Sequence, residues 1–269
     1  KGLVSLGHEV TVLTVDWPEA IKSSFFTKNN RTPVIRTHLP ELSALSITGS
    51  GSKKSKARSS DWVKKIRHYL RDLIYFPDVC CRWAKHVSDF DTSKFTCILS
   101  SSDFKSSHFA ALKLKTRNPE IKWVQIWGDP WASDYNLSKT HYRRVRSAEQ
   151  KLLEKADRAV YISELTKKHI AECYPRLKDK LEYIPRSYYQ EIYKKPSESH
   201  EVWNMIYPGI LSTGRNILPL LKAIESYNET HRKPFRLNLY GEYSSAGIKE
   251  MGTFDFVKIH KSVEFGEII

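Results

Sequence analysis

The sequence predicts an α/β fold with parallel sheets, divided into two domains. Three observations carry that reading. Apolar, β-rich runs alternate with stretches of helical periodicity along nearly the whole chain. The alternation breaks at 185–201, a polar and irregular stretch containing Pro196, and restarts at Trp203. The fullest example lies between Val124 and Ser163: an apolar run ends on Gly128-Asp129-Pro130-Trp131, a basic helix follows, and Ala156-Asp157 leads into a second apolar run. Strands joined through helices pair in parallel with right-handed crossovers.

The elements follow in order. Val10 to Val15 is a continuous β-rich run after Gly7, which suits a helix C-cap, and Pro33 to His38 is the next strand. The small, basic stretch from Gly49 to Ser60 reads as a loop. Asp61 caps a helix with Trp62, Ile66 and Leu73 at helical spacing, and a short helix after Pro77 sets Trp83 and Val87 on one side. Strand Phe95 to Ser100 runs through Ser101 and Ser102 into a helix from about Ser107 to Arg117. Lys122 to Trp127 is a strand, Lys139 to Lys155 a helix and Arg158 to Ile162 a strand. Ser163 caps the helix Glu164 to Cys173, and Leu181 to Ile184 is the next strand. Beyond the break come strand Trp203 to Tyr207, helix Ile217 to Tyr227, and strands Phe235 to Tyr240 and Phe256 to His260. The expected domains are 1–188 and 201–269, with a linker at 189–200. The chain opens without Met, inside a helix-to-strand pattern, and Glu267 to Ile269 reads as entry into a further helix. The expectation is a fragment cut at both ends.

Composition narrows the function classes. The 269 residues are 40% hydrophobic and 28% charged, ordinary for a globular protein, but the net charge of +14 is not ordinary. It calls for an anionic partner: a phosphate ligand, a nucleic acid or a membrane surface. No run approaches the roughly 18 apolar residues of a membrane-spanning helix. The four cysteines, Cys80, Cys81, Cys97 and Cys173, form no CxxC pair. Neither a zinc site nor a disulfide framework is expected, and reduced thiols in a cytosolic protein are the plain reading.

Three loops hold candidate chemistry. Ligands of α/β sheets bind at loops leaving the carboxyl ends of strands, where Asp129 and Trp131 stand. Asp129 with the indoles of Trp127 and Trp131 could offer a sugar a carboxylate and aromatic faces; good turn chemistry with packed tryptophans explains the same residues. Ser101, Ser102 and His108 flank a strand-to-helix loop whose amides and hydroxyls suit an anionic or polyhydroxyl ligand, or merely cap the helix. Gly209 lets a ligand approach the backbone, and Arg215 before the next helix suits a phosphate, or is a solvated cation after a turn. That loop is neither a Walker loop nor a dinucleotide fingerprint. The basic stretch Lys53 to Arg58 makes an anionic membrane surface a further candidate partner.

In this order and spacing the segments resemble the family 4 glycosyltransferases, retaining enzymes of the GT-B fold. Leu3 to Val12 is similar to that family's "L-x-x-x-G-H-E-V-x-V", Gly128 to Trp131 to its "D-P-W" variant, and Glu149 to Ser163 to "E-x-x-x-L-x-x-A-D-x-V-x-x-x-S". Gly209 to Ala223 resembles the "G-R-L-x-x-x-K-G" loop, and Leu239 to Glu242 the "V-G-x-G" strand end, which brings in Gly241 and Glu242. The departures are Ile210 at the family's Arg position, Arg215 at its Lys position, Asn216 at its Gly, and Pro185-Arg186-Ser187 at its "P-N-G". The resemblance implies two Rossmann-like domains, the second incomplete here and lacking most of the donor site, so the fragment itself is expected to be inactive. It implies transfer of a sugar from a nucleotide diphosphosugar to a glycan or lipid-linked acceptor with retention, in polysaccharide or cell-surface glycan biosynthesis. No metal or other cofactor is implied. Arg215 would neutralise the leaving diphosphate and Asp129 would touch the acceptor or the transferred sugar; Ser101, Ser102, His108, Gly128, Trp131, Gly209, Gly241 and Glu242 would line the substrates. The expected place is the cytoplasm, peripheral to the inner face of the membrane. Two other readings stand beside it: a basic nucleic-acid or polyanion-binding module, for which no RNP, KH or helix-turn-helix signature appears, and another sugar-nucleotide enzyme such as an epimerase or phosphorylase.

Overall fold

The computed structural model describes residues 2–16, 32–37, 74–101, 104–134, 137, 139–186, 201–209, 216–241, 243, 247–248 and 251–263. The loop at 49–60, the helix expected from Asp61, the linker at 189–200 and the stretch 267–269 lie outside the described residues. So do Ser102, Arg215 and Glu242. The chain divides into two compact units, Lys1–Ser187 and Tyr188–Ile269.

In the first unit a short helix α1 (Gly2–Ser5) leads to β1 (Val12–Val15), which pairs in parallel with β2 (Val34–Thr37). Helix α2 (Trp83–His86) and a 3-10 turn (Val87–Asp89) precede the main sheet. Its strands β3 (Cys97–Ser101), β4 (Lys122–Trp127), β5 (Arg158–Tyr161) and β6 (Leu181–Tyr183) lie in sequence order and all pair in parallel. Helices α3 (Ser106–Arg117), α4 (Lys139–Lys155) and α5 (Glu164–Cys173) connect them, with a 3-10 stretch (Pro175–Lys180) before β6. As the sequence predicts, Ser163 caps α5, its hydroxyl accepting from the Thr166 amide at 3.3 Å.

Strand β4 shows why the sheet forms. Its side chains alternate between faces, so Trp123, Gln125 and Trp127 share one face and all three are fully buried. A buried amide needs partners. Gln125 Oε1 accepts from Trp127 Nε1 at 2.9 Å, and its Nε2 donates to the Leu152 carbonyl at 2.8 Å. Against this face pack Leu152, Leu153, Tyr161, Ile170 and Leu181, forming the core of the unit. At the amino edge Asp157 accepts from the Trp123 amide at 2.8 Å and from Lys115 Nζ at 3.0 Å. Partial burial opposes ionisation there, but that amide and the lysines outweigh it and hold the carboxyl below its ordinary range.

The second unit repeats the plan. Strands β7 (Trp203–Pro208), β8 (Phe235–Tyr240) and β9 (Val257–His260) form a parallel sheet, and α6 (Leu218–Thr230) crosses between β7 and β8. Leu221 and Ile224 of α6 pack on Leu237, Leu239 and Met251. All four cysteines are free thiols. Burial first, then the nearby Asp78 carboxylate, pushes the Cys80 thiol up to about 12. Among the described residues no helix is long and apolar enough to cross a membrane.

Candidate functional site

The carboxyl ends of β3 to β6 present Ser101, Gly128, Ile162 and Arg186 along one edge of the sheet. Asp129 follows β4 and is exposed, with no hydrogen bond or ion pair to its carboxylate among the described residues. The loop carrying it is held from below by Glu149, one helical turn past Val145 on the buried stripe of α4. Glu149 is fully buried. Its Oε1 accepts from the amides of Trp131 (3.0 Å) and Ala132 (3.2 Å), and its Oε2 from the Tyr174 hydroxyl (2.7 Å). One carboxylate thus fixes the turn that aims Asp129. Burial first, then the Glu149 charge, pushes the phenols of Tyr161 and Tyr174 well above their ordinary value.

The aromatic surface expected beside Asp129 is turned inward. Trp127 is 0% exposed and Trp131 9%. The Trp131 ring stacks on Phe76 at 5.6 Å and meets Phe109 edge-on at 6.2 Å, so it anchors the loop to the core. Arg144 lies over the other ring of that stack, its guanidinium carbon 3.9 Å from the Phe76 centroid. Arg186 reaches the loop from β6: its Nη2 stands 3.6 Å from where a side chain at Gly128 would begin.

At the start of α3 the amides of Ser106, Ser107 and His108 are engaged within the chain. The Ser106 amide and hydroxyl donate to the two oxygens of Asp78 at 2.8 and 2.6 Å, and the amides of Ser107 and His108 donate to the carbonyls of Phe104 and Lys105. The Asp78 carboxylate thus caps α3 at Ser106. Ser101 offers its carbonyl to the Ser107 hydroxyl. His108 is 0% exposed and lies against Trp127 at 4.3 Å. Trp123 Nε1, which can only donate, gives its proton to Ser100 Oγ at 2.8 Å. The Ser100 hydroxyl also hydrogen-bonds His108 Nδ1 at 2.7 Å, and His108 Nε2 is buried with no partner among the described residues. Desolvation, with Lys105 adding to it, pushes this imidazole down to about 3.

In the second unit Gly209 and Gly241 follow the neighbouring strands β7 and β8. The Gly209 amide donates to the Tyr240 carbonyl at 2.8 Å. A Cβ on Gly241, whose φ is +156°, would lie 2.0 Å from the Gly209 carbonyl oxygen, so the two backbones touch and only glycine fits. Tyr240 and His260 stack at 4.3 Å beside them, and His260 Nε2 donates to Asn238 Oδ1 at 3.0 Å. Asn216 Oδ1 accepts from the Leu218 amide at 2.9 Å and closes the start of α6. Among the described residues no cluster of His, Cys, Asp or Glu could hold a metal ion.

No family model matches the chain, and no curated protein matches it. Solved structures do. The chain is similar to Anabaena Alr3699/HepE in complex with UDP and glucose, with TM-score 0.53 and 11% identity over 94% of this chain and 70% of that one. The chain shares with it a Rossmann-like α/β fold with parallel sheets. Two further similarities are to the lipopolysaccharide outer core galactosyltransferase WaaB in its apo form (TM-score 0.44, 11% identity, 96% of this chain and 69% of that one) and to Arabidopsis thaliana UGT89C1 complexed with UDP-L-rhamnose (0.48, 11%, 100% and 65%). The chain spans 36% of the TarM chain that it also matches. At such identities the likeness is one of fold.

Sequence reading missed Glu149, Phe76, Arg144 and Arg186 as parts of the Asp129 site. Glu149 left a signal: an acidic side chain on the apolar stripe of α4, between Val145 and Leu152. Arg186 left a weaker one, as a cation where the resembling pattern has Asn. The stack of Phe76 on Trp131 left none, because the two are far apart in sequence.

Proposed function

We propose that the chain belongs to a glycosyltransferase that moves a sugar from a nucleotide diphosphosugar to a glycan or lipid-linked acceptor hydroxyl. The observation that carries this reading is Asp129, exposed and without a partner among the described residues at the carboxyl end of β4, in a fold shared with a protein solved with UDP and glucose. Asp129 contacts the acceptor or the transferred sugar. The donor diphosphate binds where β7 and β8 end on Gly209 and Gly241, and Arg215 neutralises it as it leaves. Catalysis rests on positioning and charge stabilisation, with retention of configuration and without a bound metal. In the finer reading the enzyme belongs with family 4 and works in polysaccharide or cell-surface glycan synthesis. It sits in the cytoplasm, its net charge of +14 drawing it to the anionic inner face of the membrane.

A donor screen on the full-length protein, with product detection by mass spectrometry, tests the proposal. One or more nucleotide sugars should be consumed, and Arg215→Ala should lower the rate by about 100-fold, the scale of one lost transition-state contact. An unchanged rate in Arg215→Ala would remove the diphosphate assignment.

A further inference from the structure

The cations around the Asp129 loop are arranged for more than solubility. Arg144 is laid over Phe76, which stacks on Trp131; Arg186 stands against Gly128; Lys105 Nζ lies 5.5 Å over the Trp127 ring. Arg186 and Lys105 stand beside the end of β4 and the loop that leaves it, and Arg144 joins them through the Phe76 ring stacked on Trp131. Neither arginine has a carboxylate partner among the described residues, and Asp129 is the only acidic residue of the loop from 128 to 132. Helix α4 adds to the excess. Lys139, Arg143 and Arg144 fall in its first two turns with no acidic residue in the first, where the helix dipole disfavours cations. A placement that opposes helix stability and is pre-organised by ring stacking fits recognition of negative charge. Guanidinium groups suit oxyanions because their forked donors match the spacing of two oxygens.

We infer that the acceptor bound beside Asp129 carries an oxyanion, a phosphate or a carboxylate, clamped by Arg144 and Arg186. This rests on the reading of that loop as the acceptor side of a glycosyltransferase, but it is tested by binding alone. Asp129 then faces the hydroxyl of the acceptor while the two guanidinium groups fix its charged end.

The test uses the full chain and three probes: neutral maltotetraose, a phosphorylated maltotetraose and a hyaluronan tetrasaccharide, titrated at low and moderate salt by calorimetry. At least one charged probe should bind about tenfold tighter than the neutral one, the scale of one charge-assisted contact. Whether the phosphate or the carboxylate probe wins identifies the anion. Arg144→Gln and Arg186→Gln should each lose roughly fivefold, and the double variant should lose the preference altogether. Arg176→Gln with Lys178→Gln, on the exposed 3-10 stretch before β6, controls for net charge and should leave the preference intact. Equal binding of all three probes would overturn the inference. So would a preference that survives the double variant or disappears in the control. Thermal unfolding of each variant shows that the loop is still anchored. Loss of donor turnover with the charge preference intact would count against the transferase reading and not against the clamp.

Discussion

Asp129 and the residues that hold it are the smallest scale at which the account can be tested. Glu149 satisfies three donors in the core, so Glu149→Ala leaves two amides and a phenol without acceptors. The expected loss is about 3 kcal/mol or more in urea unfolding, well above that of an exposed substitution such as Glu154→Ala. His108 predicts a pH dependence. Its folded-state value lies near 3 against an ordinary 6.5, so below 6.5 the unfolded chain binds a proton that the folded chain refuses. The contribution is full above about 6.5 and is lost progressively as pH falls towards 3. His108→Phe keeps a ring against Trp127 but cannot titrate. Its unfolding midpoint should fall less steeply than that of the wild type as pH is lowered through this window, whatever its stability at neutral pH.

At the scale of elements, the strands and helices were legible where periodicity was long. Lys122–Trp127, Lys139–Lys155, Glu164–Cys173 and Phe235–Tyr240 follow the patterns that predict them, because alternation on β4 and the apolar stripe of α4 are local properties. What holds the turns was not legible. Asp78 reaches across 28 residues to the Ser106 hydroxyl, and nothing in the serine run shows that its amides will be filled from within the chain. The two indoles beside Asp129 read equally well as open faces or as core; Phe76 and Phe109 decide for core, and both are set by distant segments. The glycines of β7 and β8 carry the prediction for the second unit. Gly241→Ala forces apart two backbones that touch and should cost about 2 kcal/mol or more by thermal unfolding. Gly2→Ala, with open space around it, should change nothing measurable.

For the whole molecule, two parallel α/β units and a strongly basic balance were legible from composition and from the restart of the pattern at Trp203. The distribution of that charge was not, since Arg186 reaches the loop at Gly128, and Arg144 the Phe76 ring behind it, only through the fold. Sugar transfer from a nucleotide diphosphosugar is the central claim, and nucleoside diphosphate release by the full-length protein, measured with Asp129→Ala alongside, tests it most directly. The account predicts acceptor-stimulated release from at least one nucleotide sugar, reduced about 100-fold or more in Asp129→Ala while the fold is kept. No release from any nucleotide sugar, or release that Asp129→Ala leaves unchanged, would contradict it.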